Sequence, residues 1–186
     1  MVSLMDLWLP IVLSAVLVFV MSSIIHMLLT YHRKDWDRLP GEAEVLSAMR
    51  EASVSAGDYA FPYPESPKDM GTPEMIEKYK QGPVGFMTVA PSGSPSMGKS
   101  LIQWFLYSLG IGVFVAYITS RTMGPSPEYL EVFRVAGAVA FLGYAGGEPV
   151  QAIWGKRKWG TIGRHIFDGF VYALVTAGAF AGFWPA

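Results

Sequence analysis

Four long apolar runs constrain this chain more than any other feature. The first extends from Trp8 to Thr30 and reads LPIVLSAVLVFVMSSIIHMLLT after its Trp; the others are Leu101 to Ser120, Tyr129 to Ala145 and Ile166 to Trp184. At 1.5 Å of rise per residue, runs of this length suffice for the ~30 Å hydrocarbon core of a bilayer. Backbone polar groups in lipid must be satisfied within the segment, so such spans are helices. Pro10 falls in a first helical turn, where its missing N–H costs little, and Gly147, Glu148 and Pro149 provide a stop for the third run. The start, MVSLMD, lacks the positive flank of a signal peptide, so the first run reads as an uncleaved membrane helix. An apolar share of 52% against 16% charged points the same way. The expectation is an all-α membrane protein with four transmembrane helices and, between the first two, a cytoplasmic loop segment containing two short helices.

Lys and Arg set the expected orientation. Arg33, Lys34 and Arg38 follow the first span, Lys99 precedes the second, and Lys156, Arg157, Lys158 and Arg164 separate the last two; Arg121 alone lies in the opposite loop. The positive-inside rule makes both termini extracytoplasmic. Residues 1–30 then form the extracytoplasmic N-terminus and first span, 31–98 a cytoplasmic segment, and 99–186 the other three spans. A formal net charge of -1 offers no basic footprint for nucleic acid. The absence of cysteine excludes disulfides, thiolate metal sites and cysteine nucleophiles.

One stretch, GSPSMGKS from Gly93 to Ser100, fits the phosphate-cradling pattern G-x-x-x-x-G-K-[ST]. That loop works between a buried parallel strand and a helix of an α/β sheet. Here the following helix is a membrane span, and residues 31–98 leave room for one short strand, Val84 to Ala90. The match is judged a false positive, with Lys99 as an interfacial anchor. Elsewhere in the segment, GEAEVLSAMREASV suits a short amphipathic helix. PEMIEKYKQ suits a second, with Thr72 as N-cap, Pro73 at the first position and Gly82 past the end. Between them, GDYAFPYPESPKDMG reads as a surface loop pinned by Tyr59, Phe61 and Tyr63.

Ionisable groups near a bilayer are functional candidates by default. His26 lies about 27 Å along the first helix from Trp8, at the inner edge of the hydrocarbon. Glu148 closes the third span on that side, and His165 and Asp168 open the fourth. Two imidazoles and two carboxylates suit a proton relay or a zinc, iron or manganese site. The simpler reading pairs Arg164 with Asp168 at i, i+4, satisfies His26 through Ser22 or water, and lets Glu148 cap a helix end. It is preferred, because spacing across three helices does not establish ligand geometry. Small residues form two G-x-x-x-G spacings, Gly143 with Gly147 and Gly178 with Gly182, which favour close helix packing within the chain or with a second copy.

The strings SSIIHMLLTYHRKDWDRLP, GPVGFMTV, VFRVAGAVAFLGYAGG and HIFDGFVYALVTAG resemble an uncharacterised family of small bacterial polytopic inner-membrane proteins with no assigned activity. The resemblance implies a bacterial inner-membrane setting and no catalytic or cofactor-binding residue. The expected role is structural or accessory, as a homo-oligomer or a subunit of a larger membrane complex, with the lipid bilayer as the first partner. The alternative is a small channel, carrier or metal-dependent membrane enzyme using the polar belt.

Overall fold

In a computed structural model, which describes residues 2–94, 96–124 and 126–185, the chain is mostly helical. Its elements are α1 (Trp8–Leu28), α2 (Glu42–Glu51), β1 (Gly57–Phe61), α3 (Pro73–Gln81), β2 (Gly85–Val89), α4 (Met97–Thr122), α5 (Tyr129–Ala145), α6 (Glu148–Ile153) and α7 (Trp159–Gly182), with 3-10 turns at Tyr31–Lys34 and Asp69–Gly71. Two compact units result: residues 1–36 with 96–186, and residues 37–95.

In the first unit four helices, α1, α4, α5 with α6, and α7, are long and apolar enough to cross a membrane. α4 begins at Met97, ahead of its apolar run, because the Ser96 hydroxyl accepts a hydrogen bond from Lys99 N at 3.4 Å and caps the helix. A capping box of Glu128 and Glu131 starts α5. After Ala145 the chain turns briefly and resumes as α6, with Pro149 in its first turn. α7 starts at Trp159, well before Ile166, so His165 and Asp168 sit in its second and third turns and not at its opening. The early start has a packing cause, since Thr161, Ile162 and Asp168 are buried.

α5 packs along α7, and α1 packs on α4 and α7. Glycines permit these approaches. A Cβ at Gly169 would stand 2.8 Å from Ala145 Cβ, one at Gly137 3.3 Å from Ala177 Cβ, and one at Gly143 2.6 Å from Ile111 Cδ1. Gly143 therefore seats α5 on α4, while Gly147, Gly178 and Gly182 have nothing of the chain within 4 Å of an added Cβ. Of the two G-x-x-x-G spacings, only Gly143 serves packing inside the chain. Large apolar side chains such as Val20, Phe114, Leu142 and Phe170 are exposed on the outside of the helices. Three buried serine hydroxyls return their hydrogen bonds to the preceding helical turn, Ser14 to Ile11 O, Ser22 to Phe19 O and Ser108 to Trp104 O.

The second unit holds α2, the antiparallel pair β1–β2 and α3. Thr72 caps α3 by accepting from Met75 N at 3.3 Å, and Gly82 ends it at φ +63°. Tyr59 to Phe61, expected in a loop, lie in β1. The strand forms because Gly57–Phe61 finds a register partner in Gly85–Val89, where Gly85 leaves room for the Phe61 ring and Asp58 Oδ1 accepts from Thr88 Oγ1 at 2.6 Å. Met75 alone among this unit's described residues is buried. The GSPSMGKS stretch, of which Pro95 lies outside the described residues, is preceded by an antiparallel strand and ends in the first turn of α4, with Ser96 as the cap. It lacks the parallel β–loop–α setting of a phosphate loop.

Candidate metal centre

The site is built where α1 ends. Leu29 adopts an extended conformation and breaks the helix, after which Tyr31–Lys34 winds a 3-10 turn with Asp35 N–H bonded to His32 O at 3.0 Å. Residues i and i+3 eclipse in a 3-10 helix, so His32 and Asp35 fall on one face. On α7, Arg164, His165 and Asp168 share the face that meets this turn, as i, i+3 and i+4 spacing dictates. Glu148, first residue of α6, reaches His165, and His26 projects from the last turn of α1.

Each imidazole has one nitrogen committed to an oxygen. His26 Nδ1 meets Ser22 O at 3.0 Å, His32 Nδ1 meets Asp35 Oδ2 at 2.6 Å, and His165 Nδ1 meets Glu148 Oε2 at 3.2 Å. With the proton on Nδ1 in each ring, Nε2 is left as a lone pair. The rings of His26 and His32 lie parallel, 4.5 Å apart. Asp168 is 4% exposed; its Oδ1 accepts a short hydrogen bond from the Tyr31 hydroxyl, and its Oδ2 stands 2.8 Å from His32 Nε2. That approach lies off the ring's N–H direction, so His32 Nε2 is buried without an aligned hydrogen bond. Ligand atoms of His26, His32 and Asp168 all lie within 4.8 Å of one another, and those of His32, Asp35 and His165 form a second such group.

Charge separates the two groups. Arg164 binds Asp35 Oδ1 through both Nε, at 2.6 Å, and a terminal nitrogen, at 2.5 Å, and it also reaches Thr161 Oγ1 and Lys34 O. Burial acts to raise the Asp35 pKa, but the hydrogen bonds from His32 and Arg164 and the guanidinium charge outweigh it and hold the carboxyl below its usual range. Burial, followed by the bond to Asp168 and the charges of Asp168 and Asp35, pushes Tyr31 upward, so it remains a phenol donor. Asp35 is thus already neutralised by Arg164. Three carboxylates against one guanidinium leave the cluster two formal negative charges when its imidazoles are neutral.

Of the residues expected from the sequence, His26, Glu148, His165 and Asp168 do gather at one end of the bundle. Arg164 does not pair with Asp168: Asp35 takes it, because the turn after α1 brings a second carboxylate within reach and Asp168 is engaged by Tyr31 and His32. His26 is satisfied by the Ser22 carbonyl, and Glu148 bonds an imidazole. Tyr31, His32 and Asp35 were missed. A signal for two of them was present, since His32-x-x-Asp35 repeats the spacing of His165-x-x-Asp168, and each histidine faces the other pair's aspartate, at 2.8 Å and 3.6 Å. No family model matches the chain, and neither a curated protein nor a solved structure is significantly similar to it.

Proposed function

We propose that this is a multi-pass membrane protein that holds one divalent transition-metal ion on His26, His32 and Asp168 at the end of its helical bundle. The observation that carries this reading is the 2.8 Å separation of His32 Nε2 and Asp168 Oδ2. With the His32 proton on Nδ1, both atoms are acceptors, an arrangement that a cation between them stabilises. Nitrogen and oxygen bound about 2.1 Å from one ion stand about 3.0 Å apart at a right angle and about 3.4 Å at the tetrahedral angle, so the pair opens by a few tenths of an ångström to admit the ion. The two formal negative charges equal the charge of one such ion. Each ligand is also held from behind, His26 by Ser22 O, His32 by Asp35 and Asp168 by Tyr31, in the manner that orients metal ligands. His26 is exposed and Asp168 buried, which gives the ion a route in from the surface. Two imidazoles and one carboxylate suit zinc, iron or manganese and leave coordination positions for water or a substrate.

The bacterial inner membrane, with this end of the bundle cytoplasmic and both termini outside, is part of the same proposal and is supported by the Lys and Arg distribution. The test is metal content of the full chain purified in mild detergent. About one ion per chain is expected, with loss in His26→Ala and Asp168→Asn at unchanged helical circular dichroism. Wild-type protein that neither retains nor takes up zinc, iron or manganese overturns the proposal. A structural or accessory role is a second reading, favoured by the open faces of Gly147, Gly178 and Gly182. It requires self-association or a co-purifying subunit that Gly178→Ile disrupts, read by cross-linking.

A further inference from the structure

The end of the bundle that carries the histidine cluster also gathers cations with no carboxylate to meet. Arg33, Lys34, Lys156 and Arg157 have none within ion-pair distance among the described residues, whereas Arg164 holds Asp35, Arg38 faces Glu42 and Lys80 faces Glu77. Two distant stretches of sequence supply them, the turn after α1 and the turn between α6 and α7. Arg157 joins the two by placing its guanidinium 5.5 Å from the centre of the Trp36 ring. Trp36, Trp154 and Trp159, at 78%, 72% and 62% exposed, bracket these cations, and Val150 and Ile153 add exposed apolar surface beside them.

Indole rings flanked by cations and apolar side chains at the ends of spanning helices match one environment, the headgroup layer, where the ring sits at the boundary and the charge reaches outward. We propose that this surface binds an anionic phospholipid, its phosphate on the Arg157 guanidinium and the Lys34 and Arg33 side chains, its glycerol and upper acyl region against Trp154, Trp159 and Ile153. A free phosphate ion would use the cations and leave the indoles and aliphatic side chains without a partner, so the lipid fits more of the surface. Arg and Lys differ in what they supply: Arg157 offers a fixed fork, Lys34 a mobile point charge. Lys156 contributes differently, since its Nζ donates to Ile153 O at 3.0 Å and closes the end of α6.

The inference is independent of the metal reading, because none of these side chains belongs to the histidine cluster. Its test uses the full chain in maltoside micelles, supplied with phosphatidylglycerol or with phosphatidylcholine of the same acyl chains, and counts retained lipid by native mass spectrometry. Wild type should retain phosphatidylglycerol in preference. Since each cation near an anionic lipid surface contributes about fivefold, Lys34→Gln with Arg157→Gln should weaken retention ~25-fold. Helical circular dichroism serves as the folding control, and Trp154→Ala as a second variant should weaken retention at unchanged charge. Equal retention of the two lipids, or undiminished retention in the double variant, overturns the proposal. Displacement of the lipid by an equal concentration of inorganic phosphate also overturns it, by assigning the surface to free phosphate.

Discussion

Asp35 does two things at once. One oxygen meets His32 Nδ1 at 2.6 Å, which supports the tautomer protonated there, and the other holds Arg164, which fixes the turn after α1 to α7. Losing the first role should weaken the metal site without removing a ligand. Asp35→Asn is expected to lower metal affinity about 10–100-fold, measured by chelator competition. The second role has a pH signature. Because the folded pKa of Asp35 is depressed, its contribution is fully present above the unfolded value of about 3.9 and is lost as pH falls through the lower folded value. Thermal unfolding in detergent should therefore show wild type more stable than Asp35→Asn at pH ~5–7, with the two converging below pH ~3. A constant difference across that range would count against the ion pair. Tyr31→Phe removes the donor to Asp168 Oδ1 and should lower metal affinity by a similar mechanism, at unchanged ligand number.

At the scale of elements, the existence of the four long helices was legible because twenty or so apolar residues in succession have few other fates. Their ends were less so. α7 extends back to Trp159 because polar residues of its first turns are buried against the turn after α1, a tertiary fact that hydropathy does not carry. β1 was hidden because its partner lies far along the chain, at Gly85–Val89. The histidine cluster was half legible for the same reason: His26, Glu148, His165 and Asp168 occur at span ends, whereas His32 and Asp35 enter through a 3-10 turn in a segment that reads as loop. Glycine spacing also failed to name the contacts, since close approach depends on which residue stands opposite. An added methyl at Gly169 would meet Ala145 Cβ and the Tyr144 backbone, so Gly169→Ala should cost about 1–3 kcal/mol. Gly178→Ala, with open space around it, should be neutral or stabilise by up to about 1 kcal/mol through helix propensity. Unfolding of both variants by detergent titration distinguishes them; equal effects would mean α5 and α7 do not pack as described.

Across the whole molecule, chain order and contacts agree on which helix ends lie together. Trp104 near the start of α4 donates to Ser22 late in α1, Tyr107 donates to Gly143 O late in α5, and His165 early in α7 meets Glu148 just past α5. The histidine cluster and the cations without a carboxylate partner therefore share one end, while the end of α4 and the start of α5 lie at the other. If anionic lipid and the positive-inside bias set the orientation, the cluster end faces the cytoplasm. The chain has no native cysteine, so single replacements at exposed positions report sidedness without background. Ser126→Cys, between α4 and α5, should react with a membrane-impermeant maleimide in intact cells, and Ser92→Cys, after β2, only after permeabilisation. Four spans with both termini on one side require this opposition, because an even number of crossings returns the chain to its starting face. Reaction of both cysteines from outside would break the four-span arrangement; the reverse pattern would keep the spans and turn the metal site and its cationic surface to the exterior.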